Sequence, residues 1–189
     1  MTVFSKLGAL TFPIHTERLI LRRLRTDDLD DMFPYLGDAG VNHYIREPYT
    51  LDQARTFLAE KSAPLRGTDG EWLSLGLTFP GEDRVRGDVV LKLSSILNQH
   101  GELGFRLAPD LQGKGYAHEA ADAMVRLAFE GLGLHKLTAL CQARNQASVA
   151  LLTRLGFVQE GLLRRHDLSQ GQWVDVMVLG MFPDEWRPR

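Results

Sequence analysis

The stretch Glu102-Leu-Gly-Phe-Arg-Leu-Ala-Pro-Asp-Leu-Gln-Gly-Lys-Gly-Tyr-Ala117 constrains this chain more than any other. A strand-like run stops at Pro109, and a turn carrying Gly113 and Gly115 opens directly into a helical pattern, Ala120, Ala121, Met124, Leu127 and Ala128. The first N–H groups of such a helix have no internal partner, and the helix dipole adds partial positive charge there. Glycines without side chains let an anion reach those N–H groups. The segment therefore reads as a main-chain cradle for a phosphate or pyrophosphate, to which Lys114 can add a charge.

Two familiar phosphate loops do not fit. A P-loop needs Ser or Thr after its lysine, and Lys114 is followed by Gly115. A dinucleotide fingerprint needs a third glycine where His118 stands, and it belongs to a first βαβ unit, whereas this turn follows several antiparallel-looking strands.

Around the turn the chain alternates strands and helices. Thr16–Arg25 reads as a strand, and Thr26 as the cap of a helix with Leu29, Met32, Phe33 and Leu36 on its apolar face, ended by Gly37. Thr50 and Gln53 form a capping-box pattern for a second helix bearing Leu51, Ala54, Phe57 and Leu58. Trp72–Phe79, Gly87–Ser94 and Glu102–Leu107 read as strands. A helix over Ala117–Glu130, a strand over Lys136–Gln142, a short helix over Ser148–Leu155 and a closing hairpin over Phe157–Asp167 and Gln172–Met181 follow. The order predicts an α/β domain on a mixed, mostly antiparallel central sheet flanked by about four helices.

The 189 residues fit one domain, 1–189, with its core at about 16–182. Lys plus Arg number 22 against 24 Asp plus Glu, so the net charge of −2 offers no general attraction to nucleic acid or an anionic membrane. The single cysteine, Cys141, excludes an internal disulfide framework and fits a reducing, cytoplasmic compartment. Met1 to Gly8 carries one lysine and no long apolar run, so no signal peptide is expected, and no stretch is apolar enough to span a membrane. The six histidines lack paired ligand spacing, so no metal is expected.

Gln112-Gly-Lys-Gly115-Tyr-Ala117 resembles the Gln/Arg-x-x-Gly-x-Gly/Ala signature of the GNAT acyltransferase superfamily. Asn145-Gln-Ala-Ser148, with the helix after it and Gly156-Phe157, resembles that superfamily's next block. Thr16-Glu-Arg-Leu-Ile-Leu-Arg22 and the tail from Glu160-Gly161 through Gly171-x-Trp173-x-Asp175 are similar to the branch that acetylates ribosomal-protein N-termini.

The resemblance implies an acetyl-CoA-dependent N-acetyltransferase without metal, in which an amine attacks the thioester directly in a ternary complex. The acceptor would be a protein N-terminal α-amine or a small-molecule amine, and a homodimer is the expected assembly. The pyrophosphate contacts would come from Gln112, Gly113, Lys114, Gly115, Tyr116 and Ala117, and the pantetheine arm would pair along Phe105, Arg106 and Leu107. The N–H of about Leu107 would meet the oxyanion, and Asn145 would touch the cofactor. Two alternatives stay open: a non-catalytic CoA-binding sensor or partner module, and an acyltransferase using succinyl-CoA. In the latter an arginine near the thioester would clamp the extra carboxylate, with Arg106 on the right strand but facing solvent.

An α-amine with a pKa near ~7.8 needs little help to lose its proton, whereas a lysine near ~10.4 needs more. Glu102 is the candidate base by resemblance, acting through water. No tyrosine lies between Gln146 and Gln172 to act as the usual general acid; the resemblance to the ribosomal branch implies Ser148 as the substitute, competing with a plain helix-cap role. Cys141 is expected to be buried and inert, Arg164-Arg165-His166 a solvated face, and Tyr44 part of the acceptor loop. Trp173 is balanced between core packing and acceptor contact.

Overall fold

The computed structural model describes residues 6–187. The reading of Met1 to Gly8 therefore lies, for residues 1–5, outside the described residues. Leucines at alternate positions explain the centre of the sheet. In β3 (Trp72–Thr78), Leu73, Leu75 and Leu77 share one face and are fully buried. Val89, Leu91 and Leu93 of β4 (Gly87–Ser95) continue that face, as do Leu103 and Leu107 of β5 (His100–Leu107). Each such side chain contributes about 1.5–3 kcal/mol on leaving water.

Eight strands form one sheet in the order β1-β2-β3-β4-β5-β6-β8-β7. The others are β1 (Ile14–His15), β2 (Ile20–Arg23), β6 (Lys136–Gln142), β7 (Val158–Ser169) and β8 (Gln172–Met181). β5 and β6 pair in parallel; all other neighbours are antiparallel. The helices flanking the sheet over residues 29–155 are α1 (Leu29–Leu36), α2 (Ala39–Asn42), α3 (Leu51–Ser62), α4 (Tyr116–Arg126) and α5 (Gln146–Leu155). Ala120, Ala121, Met124 and Val125 of α4 lie against the leucine face and build the main core with it. Met32, Tyr35 and Leu36 of α1 and Ala54 and Leu58 of α3 form a second cluster with Leu24 and Val85. The sheet face under that second cluster is far more polar, with Ser74 and Thr78 of β3, Asp88 of β4 and Arg106 of β5 all buried there.

Several local expectations are corrected. The strand at Thr16–Arg25 is short, Ile20–Arg23, with Ile14–His15 beside it. Thr26 does not cap α1, because Thr26–Asp28 forms a 3-10 turn first. Asp28 ties that turn down, accepting the Arg25 N–H at 2.7 Å and the Arg22 guanidinium at 2.6 and 2.9 Å. The Thr50/Gln53 capping box forms in full, with reciprocal bonds of 2.9 and 3.3 Å. The helix foreseen to Glu130 keeps α geometry only to Arg126 and then widens into a π turn over Leu127–Leu132. No described helix is long and apolar enough to cross a membrane.

Candidate active site

The parallel pairing of β5 and β6 covers only His100↔Lys136, Gly101↔Leu137 and Glu102↔Thr138. Beyond Glu102 the strands part. Which groups face the gap follows from the register with β4. The Ala108 N–H donates to the Arg86 carbonyl at 2.9 Å, and the same register carries Arg106↔Asp88 and Gly104↔Val90. Hydrogen-bonded rungs alternate along an antiparallel pair, so residues 104, 106 and 108 bond to β4. Phe105 and Leu107 therefore present their N–H groups to the gap, where β6 has turned away. Leu140 and Gln142 present theirs from the opposite wall, because the Ala143 N–H bond to Asp175 sets the phase of β6 on β8. The gap opens into a cleft of ≈ 2390 Å³.

At the end of β5, Gly113 (φ +73°) and Gly115 (φ +84°) take left-handed conformations that side chains disfavour. A Cβ on Gly113 would meet nothing within 4 Å, whereas one on Gly115 would come within 3.3 Å of Arg18 Nη2. Gln112 reaches back to donate from Nε2 to the Leu107 carbonyl at 3.2 Å, joining turn to strand. Open main-chain donors at the head of an eleven-residue helix suit a pyrophosphate, and the unpaired edge at Phe105 and Leu107 suits an extended amide chain.

Arg18 is part of this turn, and no local signal in the sequence announces it. Its Nη1 donates to the Lys114 carbonyl at 3.1 Å, its Nε to Glu119 at 2.7 Å, and its Cζ lies 4.5 Å from the Tyr116 ring centroid. Glu119 also accepts from the Thr16 hydroxyl (2.6 Å) and the Arg18 N–H (2.7 Å). Burial alone would raise the Glu119 carboxyl, but these bonds outweigh it and hold the group below its usual range.

The cleft is lined by Phe105, Arg106, Leu107, Gln112, Gly113 and Gly115, and also by Ala117, Asn145, Ser148 and Tyr44. Lys114 and Tyr116 flank the turn outside that lining. Glu102 also lies outside it, on the polar sheet face two residues beyond Gly104, with its carboxylate 3.7 Å from Lys92 Nζ. Arg106 is the clearest correction. It is 8% exposed instead of facing solvent, because Asp88, its register partner, accepts from Nε at 3.2 Å and Nη2 at 3.3 Å. Burial alone would lower the guanidinium, yet Asp88 keeps it above its ordinary value.

Ser148 does not cap α5. Asn145 does, accepting the Ser148 N–H at 3.2 Å, which leaves the Ser148 hydroxyl without a protein partner among the described residues. Cys141 is half-buried on the cleft wall, where burial pushes its thiol up. Trp173 is 63% exposed, so it does not pack in the core. Arg164, Arg165 and His166 are exposed on β7. Among the described residues no group of three His, Cys, Asp or Glu is placed to hold a metal.

A family model described as the acetyltransferase (GNAT) domain matches residues 18–158, which takes in both glycines of the turn and both edges of the gap. The chain belongs to the GNAT acetyltransferase family. Among GNAT relatives, the uncharacterized N-acetyltransferase p20 of Bacillus licheniformis is 29% identical over 175 residues, covering 92% of this chain and 97% of its own. The [ribosomal protein uS5]-alanine N-acetyltransferase of Escherichia coli (strain K12) is 26% identical over 183 residues, 92% of each chain. A crystal structure of a GNAT-family acetyltransferase from Bacillus anthracis superposes with a TM-score of 0.80 at 25% identity, over 92% of this chain and all of that one. The mixed eight-stranded sheet with its parted strands is thus the GNAT fold.

Proposed function

We propose that this single domain transfers the acetyl group of acetyl-CoA to an amine, by direct attack within a ternary complex. The observation that carries this is the open edge of β5: two free N–H groups, at Phe105 and Leu107, run straight into the Gly113/Gly115 turn at the head of α4. A pyrophosphate at that turn and an amide-bearing arm along the edge bring a thioester to the point where β5 and β6 part. Of the two edge N–H groups, that of Leu107, next to the turn, meets the arm. That of Phe105, nearer the parting point, serves as oxyanion donor in place of the Leu107 N–H that the family resemblance implies. Arg18 holds the turn from outside and adds a cation to it.

Ser148 supports the chemistry of departure, since its hydroxyl has no protein partner among the described residues and Ser148 is part of the cleft lining. It protonates the leaving thiolate, whose pKa near ~8.5 makes that help modest. Glu102, on the acceptor face but beyond the lining, takes the amine proton through water. Asn145 gives its Oδ1 to the cap and keeps Nδ2 for the acyl donor. The relative that acts on ribosomal protein uS5 makes a protein N-terminus one acceptor to test.

The test is release of free CoA thiol from acetyl-CoA in the presence of peptide N-termini and small amines, with succinyl-CoA in parallel. Amine-dependent thiol release supports the proposal. Binding of acetyl-CoA with no release on any amine contradicts it, and points to a non-catalytic CoA-binding module.

A further inference from the structure

The polar face of the sheet carries an alternating row of cations and aromatic rings drawn from separate elements. Arg46 Cζ lies 3.8 Å from the Tyr49 ring centroid, and Arg106 Cζ lies 5.7 Å from the same centroid. Arg106 is also 5.4 Å from the Phe57 centroid, and Lys61 Nζ is 5.8 Å from Phe57 and 5.0 Å from Trp72. Arg46, Tyr49, Phe57, Lys61, Trp72 and Arg106 all line the cleft.

The charges along this row are unequally compensated. Arg106 has Asp88. Lys61 has no carboxylate within 4 Å among the described residues, and Arg46 donates only to the carbonyl of its neighbour Glu47. Burial pushes the Lys61 ammonium below its usual value. Contacts with ring faces contribute about 0.5–1 kcal/mol each at exposed sites, too little to replace the water that a half-buried ammonium loses. Of the acids that share this lining, Asp52 pairs with Arg55 at 3.7 Å and Asp122 accepts from the Trp186 indole at 2.9 Å. Glu17, Glu47 and Glu60 are exposed and screened by solvent. Lys61 is therefore the half-buried cation of this row that no carboxylate among the described residues pairs with directly.

The row also begins at the reacting point. Arg106 stands between Phe105 and Leu107, whose N–H groups face the gap, but its side chain lies on the acceptor face. We infer that the acceptor is an amine that also carries an anionic group, a carboxylate or a phosphate, seated against Lys61 and the outer edge of Arg106. This rests on the acetyltransferase reading of the cleft. A polyamine or aminoglycoside would bring further positive charge against the same wall.

The test measures CoA release at saturating acetyl-CoA with matched amines: O-phosphoethanolamine against ethanolamine, and 4-aminobutyrate against 1,4-diaminobutane. The anionic member of each pair is expected to have a kcat/KM about tenfold higher or more, as one charge-assisted contact provides. In Lys61→Met that ratio should fall about tenfold through KM, and Lys61→Arg should restore it. Higher salt should shrink it as well. Equal or better use of the neutral or cationic member overturns the inference, as does a ratio unmoved in Lys61→Met that still unfolds at the wild-type temperature. Acetyl-CoA binding with no turnover of either anionic amine overturns the acceptor class alone. A protein that binds no acetyl-CoA overturns the reading beneath it.

Discussion

Asp88 and Arg106 occupy one rung of the β4–β5 ladder, and their side chains, 4% and 7% exposed, form an ion pair in the wall of the cleft. The Tyr35 hydroxyl, buried nearby, has no hydrogen-bond partner among the described residues, and burial first, with the Asp88 charge second, pushes its pKa far up. Removing one charge of the pair strands the other. Asp88→Asn should lower stability by about 3–5 kcal/mol, read as a fall in the denaturant midpoint at unchanged slope. The double variant Asp88→Leu with Arg106→Met should recover much of that loss. A stable Asp88→Asn protein would show that water reaches the Arg106 guanidinium freely.

Gly115→Ala tests the turn. A non-glycine residue at φ +84° costs about 1–2 kcal/mol, and the new Cβ presses on Arg18. The KM for acetyl-CoA should rise about tenfold with kcat changed much less, because the turn binds the donor and stands away from the reacting carbonyl. Unaltered acetyl-CoA kinetics would place the pyrophosphate elsewhere.

Asn145 and Ser148 separate a structural from a chemical role within one turn of helix. Asn145→Ala removes the cap and should cost about 1 kcal/mol of stability. Ser148→Ala leaves the cap bond intact, since that bond uses its main-chain N–H, and should change stability by less than about 0.5 kcal/mol. Its kcat should fall about tenfold or more, most visibly below the thiol pKa. Full activity in Ser148→Ala would remove it from the mechanism.

Glu119 links pH to the integrity of the turn. Its carboxyl is held below its usual range in the folded protein, so its contribution is present in full above the unfolded value of about 4.3. That contribution is lost as pH falls through the folded value. Thermal midpoints of wild type and Glu119→Gln should therefore be well separated at pH 7 and converge below about pH 4. A gap that stays constant with pH would mean the Arg18 and Thr16 bonds tolerate the neutral side chain.

What the sequence made legible is what local chemistry determines. Pro109, the two glycines and the alanines after them mark a strand, a turn and a helix within one short stretch, and Thr50 with Gln53 marks its own cap. Side chains paired over long separations were not legible. Nothing adjacent to Arg106 in the sequence shows that Asp88, on the neighbouring strand, pairs with it and buries it. Arg18 reaches Glu119 across 101 positions and reads locally as one more strand-flanking charge. The Asn-x-x-Ser block pointed to the correct helix but left the cap ambiguous, since both residue types cap helices well. The cation–aromatic row joins α3, two strands and the loop after α2, so no window of sequence contains it.

The central claim is that the β5 edge and the Gly113/Gly115 turn form an acyl-CoA site. Thermal unfolding with acetyl-CoA, free CoA, ATP and NAD, each over a range of concentrations, tests it most directly. A ligand that binds only the folded protein at a hundred times its dissociation constant adds about 2.7 kcal/mol, a shift of several degrees for a domain of this size. The account predicts that shift with acetyl-CoA and CoA, and its reduction in Gly115→Ala. A shift confined to ATP or NAD, or none with CoA, would contradict it.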